Sequence, residues 1–303
     1  NKINKLTVLR SGLSFEREYA NTYFSLDAIG YKHLAIQGSE QWEYVYPRVI
    51  FNIDDIDNNI FNGNVSLNNQ LDFNKSLDDS YTSLASSQIN WSNDLTNYKN
   101  GLVFENQANF RVVSISVDNK DAKDTDNIRL FPQIHSLLSY PLIKSSQNLN
   151  QTITPMVMPI LAPYNNYTDV KSISSSNLFS SNRATSIKEW ESGPRINYGL
   201  DWFIDNNNNM NAKLTLGQSY RINKNNSDVE DEISDYFIST NVSLDDSYLN
   251  NSIVIDRNDI DVKSISMNTY TELYNLKLKV DYDYTSGKYA NTNEQIAIGG
   301  KYN

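Results

Sequence analysis

Leu276-Lys277-Leu278-Lys279-Val280-Asp281-Tyr282-Asp283-Tyr284 alternates without a break. Leu276, Leu278, Val280, Tyr282 and Tyr284 occupy one parity, and Lys277, Lys279, Asp281 and Asp283 the other. Coiled as a helix, the four charges would spread around the whole circumference. Extended, they share one face, because successive side chains of a strand point to opposite sides. The stretch reads as a strand that is greasy on one side and ionic on the other. A register slip of one residue would exchange the two sides. If the greasy side meets lipid, that slip costs about 2–4 kcal/mol for each Lys near the bilayer midplane.

The pattern recurs on both sides of this stretch. Ile196, Tyr198, Leu200, Trp202 and Ile204 alternate with Arg195, Asn197, Asp201 and Asp205. Leu214, Leu216, Tyr220 and Ile222 alternate with Lys213, Thr215, Ser219 and Arg221. These are neighbouring strands joined by the Asn-rich turn Asp205 to Asn211, because Asn tolerates the left-handed backbone of tight hairpins. Val65, Leu67, Leu71 and Phe73, then Tyr236, Ile238, Val242 and Leu244, then Ile265, Met267 and Leu273 behave alike. Strands recurring about every 15 to 20 residues match bilayer-crossing strands plus loops, roughly 15 in all. No composition shift marks a second domain, so residues 1–303 are read as one barrel domain.

Composition agrees. With 20 Tyr, 11 Phe and 4 Trp against 11 Gly and 7 Pro, the chain favours strands and has enough aromatic surface to order itself. Its mean hydropathy of −0.55 is nevertheless very polar, which suits strands with one wet face. A formal net charge of −10 argues against a nucleic-acid surface. There is no Cys for a disulfide or a thiolate metal site. No run of about 18 apolar residues exists for a membrane-spanning helix, so any membrane crossing is made by strands. The chain begins at Asn1 without Met or a signal segment and stops at Asn303 on a strand-like alternation, and is read as a fragment. Trp42, Trp91, Trp202 and Tyr289 are candidates for an interfacial girdle.

Three segments break the meander. Asp118 to Asp126 and Asn223 to Glu232 read as charged loops outside the membrane, and Tyr164 to Ser192 is a long Ser/Asn-rich segment that calls for a reason. Asp121, Asp124 and Asp126 lack the Gly and distal Glu of a calcium loop and read as a solvated turn. His33 and His135 are too far apart in sequence for a metal centre and read as hydrated or interfacial side chains. Pro155, Pro159 and Pro163 read as an edge, a bulge or a strand end, since Pro cannot donate to a ladder. No nucleophile elbow, phosphate loop or zinc signature is present, so no catalytic, cofactor or metal residues are assigned.

A more specific signal lies at Leu178-Phe179, Asn182-Arg183 and Gly193-Pro194-Arg195-Ile196-Asn197-Tyr198-Gly199-Leu200. Here the sequence resembles the LptD family of lipopolysaccharide-assembly proteins, also called organic solvent tolerance proteins. Gln151 to Pro155, Tyr46-Pro47-Arg48, Phe131-Pro132 and the hairpin from Phe15-Glu16-Arg17 to Tyr31 support the likeness, which runs over most of the chain. The resemblance implies a large antiparallel transmembrane β-barrel of the Gram-negative outer membrane that places lipopolysaccharide in the outer leaflet, without chemistry on it. It also implies an LptE-like lipoprotein plugged into the lumen, periplasmic bridge proteins that supply the lipopolysaccharide, and a lateral opening between the first and last strands. On this likeness the family's N-terminal periplasmic domain, the C-terminal end of the barrel and the family's cysteines are expected to lie outside this sequence. Arg195, Asn197, Asp201, Lys213, Arg221, Lys277, Lys279, Asp281 and Asp283 are the candidate lumen-facing residues, as a saccharide path or as side chains that hydrate the lumen or meet the plug. Two other readings stay open, another outer-membrane barrel such as a porin or receptor, and a secreted all-β carbohydrate-active protein.

Overall fold

The computed structural model describes residues 8–34, 42–56, 63–93, 95–98, 100–119, 124–165, 173–174, 176–184, 186–206, 209–222, 232–286 and 293–302. Among them every regular element is a strand, and the 17 strands form one sheet. In chain order they are β1 (Val8–Tyr19), β2 (Thr22–His33), β3 (Trp42–Ile56), β4 (Asn64–Lys75), β5 (Tyr81–Ser92), β6 (Thr96–Asn97), β7 (Val103–Asp118), β8 (Thr125–Ser139) and β9 (Leu142–Ser145). The series continues with β10 (Leu149–Leu161), β11 (Arg195–Asn206), β12 (Met210–Arg221), β13 (Tyr236–Leu244), β14 (Ser247–Ile255), β15 (Val262–Leu273), β16 (Leu276–Thr285) and β17 (Asn293–Tyr302). Setting aside the short β6 and β9, of 2 and 4 residues, leaves 17 − 2 = 15 long strands, the number expected from the spacing of the alternations.

The chain forms two compact units. The first comprises residues up to Asp94 with Gln107–Ile134 and Ser186–Glu189. In it β1 to β5 pair antiparallel in sequence order, and β5 then pairs with β7. Rows of directly opposed residues run across these strands. One row is Glu18, Tyr23, Asn52, Asn68, Gln88 and Arg111, and the adjacent row is Arg17, Phe24, Phe51, Asn69, Ser87 and Val112. Neighbouring rows point to opposite sides, so the first lies on the polar face and the second on the apolar one. Arg48 and Asp72 oppose each other on the polar face and form an ion pair at 3.0 Å.

The second unit comprises Leu95–Asn106, His135–Thr185 and Trp190–Asn303. From β10 to β17 each long strand pairs antiparallel with the next. One row reads Asp201, Thr215, Ser239, Ser252, Ser266, Asp283 and Gln295, polar in every strand. The next reads Pro155, Leu200, Leu216, Ile238, Ile253, Ile265 and Tyr284. Alternation along each strand has become segregation across the sheet. Burial then distinguishes the faces in an unusual way. Arg195, Asn197, Thr215 and Ser219 of the polar face are buried, while Leu142, Val157, Leu161, Leu276 and Ile298 of the apolar face are exposed. A soluble sandwich would hide its apolar rows between stacked sheets; this single sheet leaves large apolar side chains uncovered, which requires a hydrocarbon solvent.

Two expectations need correction. β10 is flanked on both sides, by β11 and by β8 and β9, so Pro155 and Pro159 are neither at an edge nor at a strand end. The carbonyl of Pro155 accepts from Tyr140 N at 3.1 Å, between β8 and β9. The N–H and C=O of one strand residue point to the same neighbour, so the missing donor of Pro155 falls where that neighbour is interrupted. His135 is 6 % exposed and is a buried side chain of β8, not a hydrated one. Tyr289, Asp121 and Asn223 lie outside the described residues, as does most of the Asn223 to Glu232 loop.

Candidate functional site

Residues 173–174, 176–184 and 190–194 of the long segment between β10 and β11 lie on the polar face of β11 to β13, which supplies a reason for its length. Two anchors hold it there. The first is apolar: Leu178, fully buried, clusters with Ile173, Phe237, Phe179 and Val254. It sits over Gly217 of β12, where a Cβ would lie 2.3 Å from Leu178 Cδ2. Only a residue without a side chain leaves room for that leucine. Gly217 and Phe237 are directly opposed, so notch and floor come from adjacent strands.

The second anchor is ionic. Glu191 is fully buried and forms ion pairs with three arginines, two of which are also fully buried. Its Oε2 receives Arg183 Nε at 2.9 Å and Arg183 N at 3.2 Å, with Arg195 Nη2 at 3.1 Å. Its Oε1 receives Arg221 Nη2 at 2.6 Å and Arg183 Nη2. Burial alone would push the Glu191 carboxyl up, but Arg195, Arg183 and Arg221 together outweigh it and hold the carboxyl at about 2. The surrounding backbone is bound by the same side chains. Arg221 Nη1 donates to Ser192 O at 3.0 Å, Arg195 donates to Ser181 O, and Asn182 Oδ1 accepts from Ala184 N and Glu191 N. Gly193, at φ +82°, makes the turn into β11; a Cβ there would meet the Tyr164 ring at 2.8 Å. In the first unit, Arg111 and Arg129 donate to Ile187 O and Lys188 O at 3.4 and 2.7 Å.

The residues singled out by sequence are thereby placed. Leu178, Phe179, Asn182, Arg183, Gly193 and Arg195 all belong to the two anchors or the turn beside them. Pro194 O accepts from Ile222 N at 3.1 Å. Asn197 accepts from Ser219 Oγ at 2.7 Å beneath the segment. Gly199 opposes Gly217, while Tyr198 and Leu200 lie on the apolar face, where Tyr198 donates to Gln218 at 2.9 Å. The other candidates share the polar face through the row registers: Asp201 and Lys213 pair at 2.7 Å, Lys279 and Asp281 at 2.9 Å, and Lys277 reaches Glu272 at 3.2 Å. Asp283 opposes Ser266. The sequence reading missed Glu191, the hub of the ionic anchor. Its signal was position alone, an acid embedded between Arg183 and Arg195 in a segment otherwise rich in Ser and Asn. Among the described residues no group of His, Cys, Asp and Glu is arranged to hold a metal ion.

A single antiparallel sheet with hydrogen-bonding rows on one face and uncovered hydrocarbon rows on the other defines the wall of an outer-membrane β-barrel. The family model described as LptD: LPS transport system D matches residues 8–303, and the chain belongs to that family. It is a family of outer-membrane proteins that serve lipopolysaccharide transport, not one of enzymes. Among curated proteins, none matches the chain closely enough to count as a relative.

Proposed function

We propose that this chain forms part of the wall of a translocon that inserts lipopolysaccharide into the outer leaflet of the outer membrane. The observation that carries the reading is the segregation of rows. An amphiphile with acyl chains and a charged saccharide needs a hydrocarbon surface and a hydrated one, and the rows through Leu200 and Asp201 supply them on opposite sides of one sheet. Turn lengths orient it. β13–β14 and β15–β16 are joined by Asp245–Asp246 and Tyr274–Asn275 alone, whereas the opposite ends carry 222–235 and 162–194. Short turns face the periplasm in such barrels, so the anchored segment covers the polar face from the cell exterior.

An LptE-like lipoprotein and periplasmic bridge proteins are the partners this role requires. Lys277, Lys279, Asp281 and Asp283, with Arg195, Asn197, Asp201, Lys213 and Arg221, are the polar-face residues assigned to the lumen. The test is charge reversal, Lys277→Glu with Lys279→Glu, in cells depleted of the native protein. Slowed appearance of newly made lipopolysaccharide at the cell surface, with normal barrel assembly and lipoprotein co-purification, supports the saccharide path. Unchanged delivery and assembly would leave these lysines a role in hydration only.

A further inference from the structure

On the polar face of the first unit lies a cavity of about 350 Å³ whose lining includes Asn52, Asn68, Gln70, Gln88, Arg111 and Ile187. We propose that it binds an acidic sugar residue of a passing saccharide chain; this rests on the transport reading above and adds the place and the residues. Asn52, Asn68, Gln70 and Gln88 carry carboxamides, planar groups that present donor and acceptor together, as vicinal sugar hydroxyls require. Asn52, Asn68, Gln88 and Arg111 stand in one row across β3, β4, β5 and β7, so they form a track perpendicular to the strands.

The carboxamides of Asn52 and Asn68 make no hydrogen bond to protein among the described residues, in contrast to their neighbours. Gln70 donates to Asp72 at 2.7 Å, and Gln88 accepts from Arg111 Nε at 2.7 Å. The row thus has a fixed end at Gln88 and Arg111 and an open end at Asn68 and Asn52. No acidic side chain lines the cavity, and Arg111 gives it positive charge. Asp72, the carboxylate on the same face that Gln70 reaches, is engaged by Arg48. An anionic substituent, carboxylate or phosphate, therefore matches the cavity better than a neutral sugar. Tyr23, directly opposed to Asn52, extends the row with a ring on which a sugar face can rest.

The experiment uses the full-length protein with its co-purifying partners in detergent. Its probes are fluorescent deacylated lipopolysaccharide oligosaccharide and the same oligosaccharide stripped of its anionic groups. Asn52→Leu with Asn68→Leu should weaken binding of the acidic probe about tenfold or more, since two hydrogen-bonding groups are lost. Arg111→Gln should narrow the preference for the acidic over the stripped probe. Both variants should keep the heat-modifiable migration of a folded barrel. Wild-type affinity in the Asn52/Asn68 variant overturns the pocket while leaving the transport reading intact. Loss of a co-purifying lipoprotein with unchanged probe binding also overturns it, and makes the pocket a seat for that partner. A wild-type protein that binds neither probe, in cells whose lipopolysaccharide delivery does not depend on it, overturns both.

Discussion

Replacing Glu191 with Gln tests whether the ionic anchor holds the segment on the sheet. The carboxylate takes four hydrogen bonds from Arg183 and Arg221 and an ion pair from Arg195, and Arg183, Arg195 and Glu191 are all fully buried. Gln keeps the shape, offers one acceptor oxygen and turns an amide N–H₂ toward guanidinium donors. It leaves buried cations without their counter-charge, for which removal of one partner costs about 3–5 kcal/mol. The segment can leave the sheet without unfolding β11 to β13, so the loss is expected in local opening before global stability. Opening should therefore rise by roughly two to three and a half orders of magnitude. Trypsin reports it directly, because Arg183 lies in the segment and is buried while it is seated. The variant should be cut there rapidly while the unheated protein still migrates as a folded barrel. A cleavage rate within about twofold of wild type would refute the anchor, because the buried charges would then be compensated by other groups.

Two further outcomes follow from the same site. The Glu191 carboxyl is held at about 2 in the fold against an ordinary 4.5, so its contribution is fully present above pH 4.5 and is lost as pH falls toward 2; pepsin cleavage of the segment should accelerate across that window in wild type and not in Glu191→Gln. Gly217→Ala should displace Leu178 at a cost of about 1–3 kcal/mol, and adding Leu178→Ala should recover part of it by vacating the contact, a coupling that a double-mutant cycle of proteolytic protection measures.

The strands and their faces were legible because a period of two repeats along the chain and needs no knowledge of the partners. Leu276 to Tyr284 carried its two sides in its own spacing, and the cross-strand rows follow once each strand pairs with the next. The seating of the long segment was not legible. Glu191 lies 8 residues from Arg183 and 30 from Arg221, and no periodicity connects them. Pro155 was misjudged because its sequence reports a missing donor but not the gap between β8 and β9 that absorbs it. His135 was misjudged because a lone His between Ile134 and Ser136 says nothing about what covers it. Asn52 and Asn68, 16 residues apart, became a pair only through the β3–β4 register.

The seated segment also reports on how the sheet was built. Gly217, Arg221 and Phe237 receive it only when β11, β12 and β13 are paired in the observed alignment. Shift β12 by one residue and Gly217 and Arg221 turn to the membrane side, leaving Leu178 without a notch and Glu191 short of a cation. Seating succeeds on one alignment alone, so a protected segment is a signature of β11, β12 and β13 paired in the correct register.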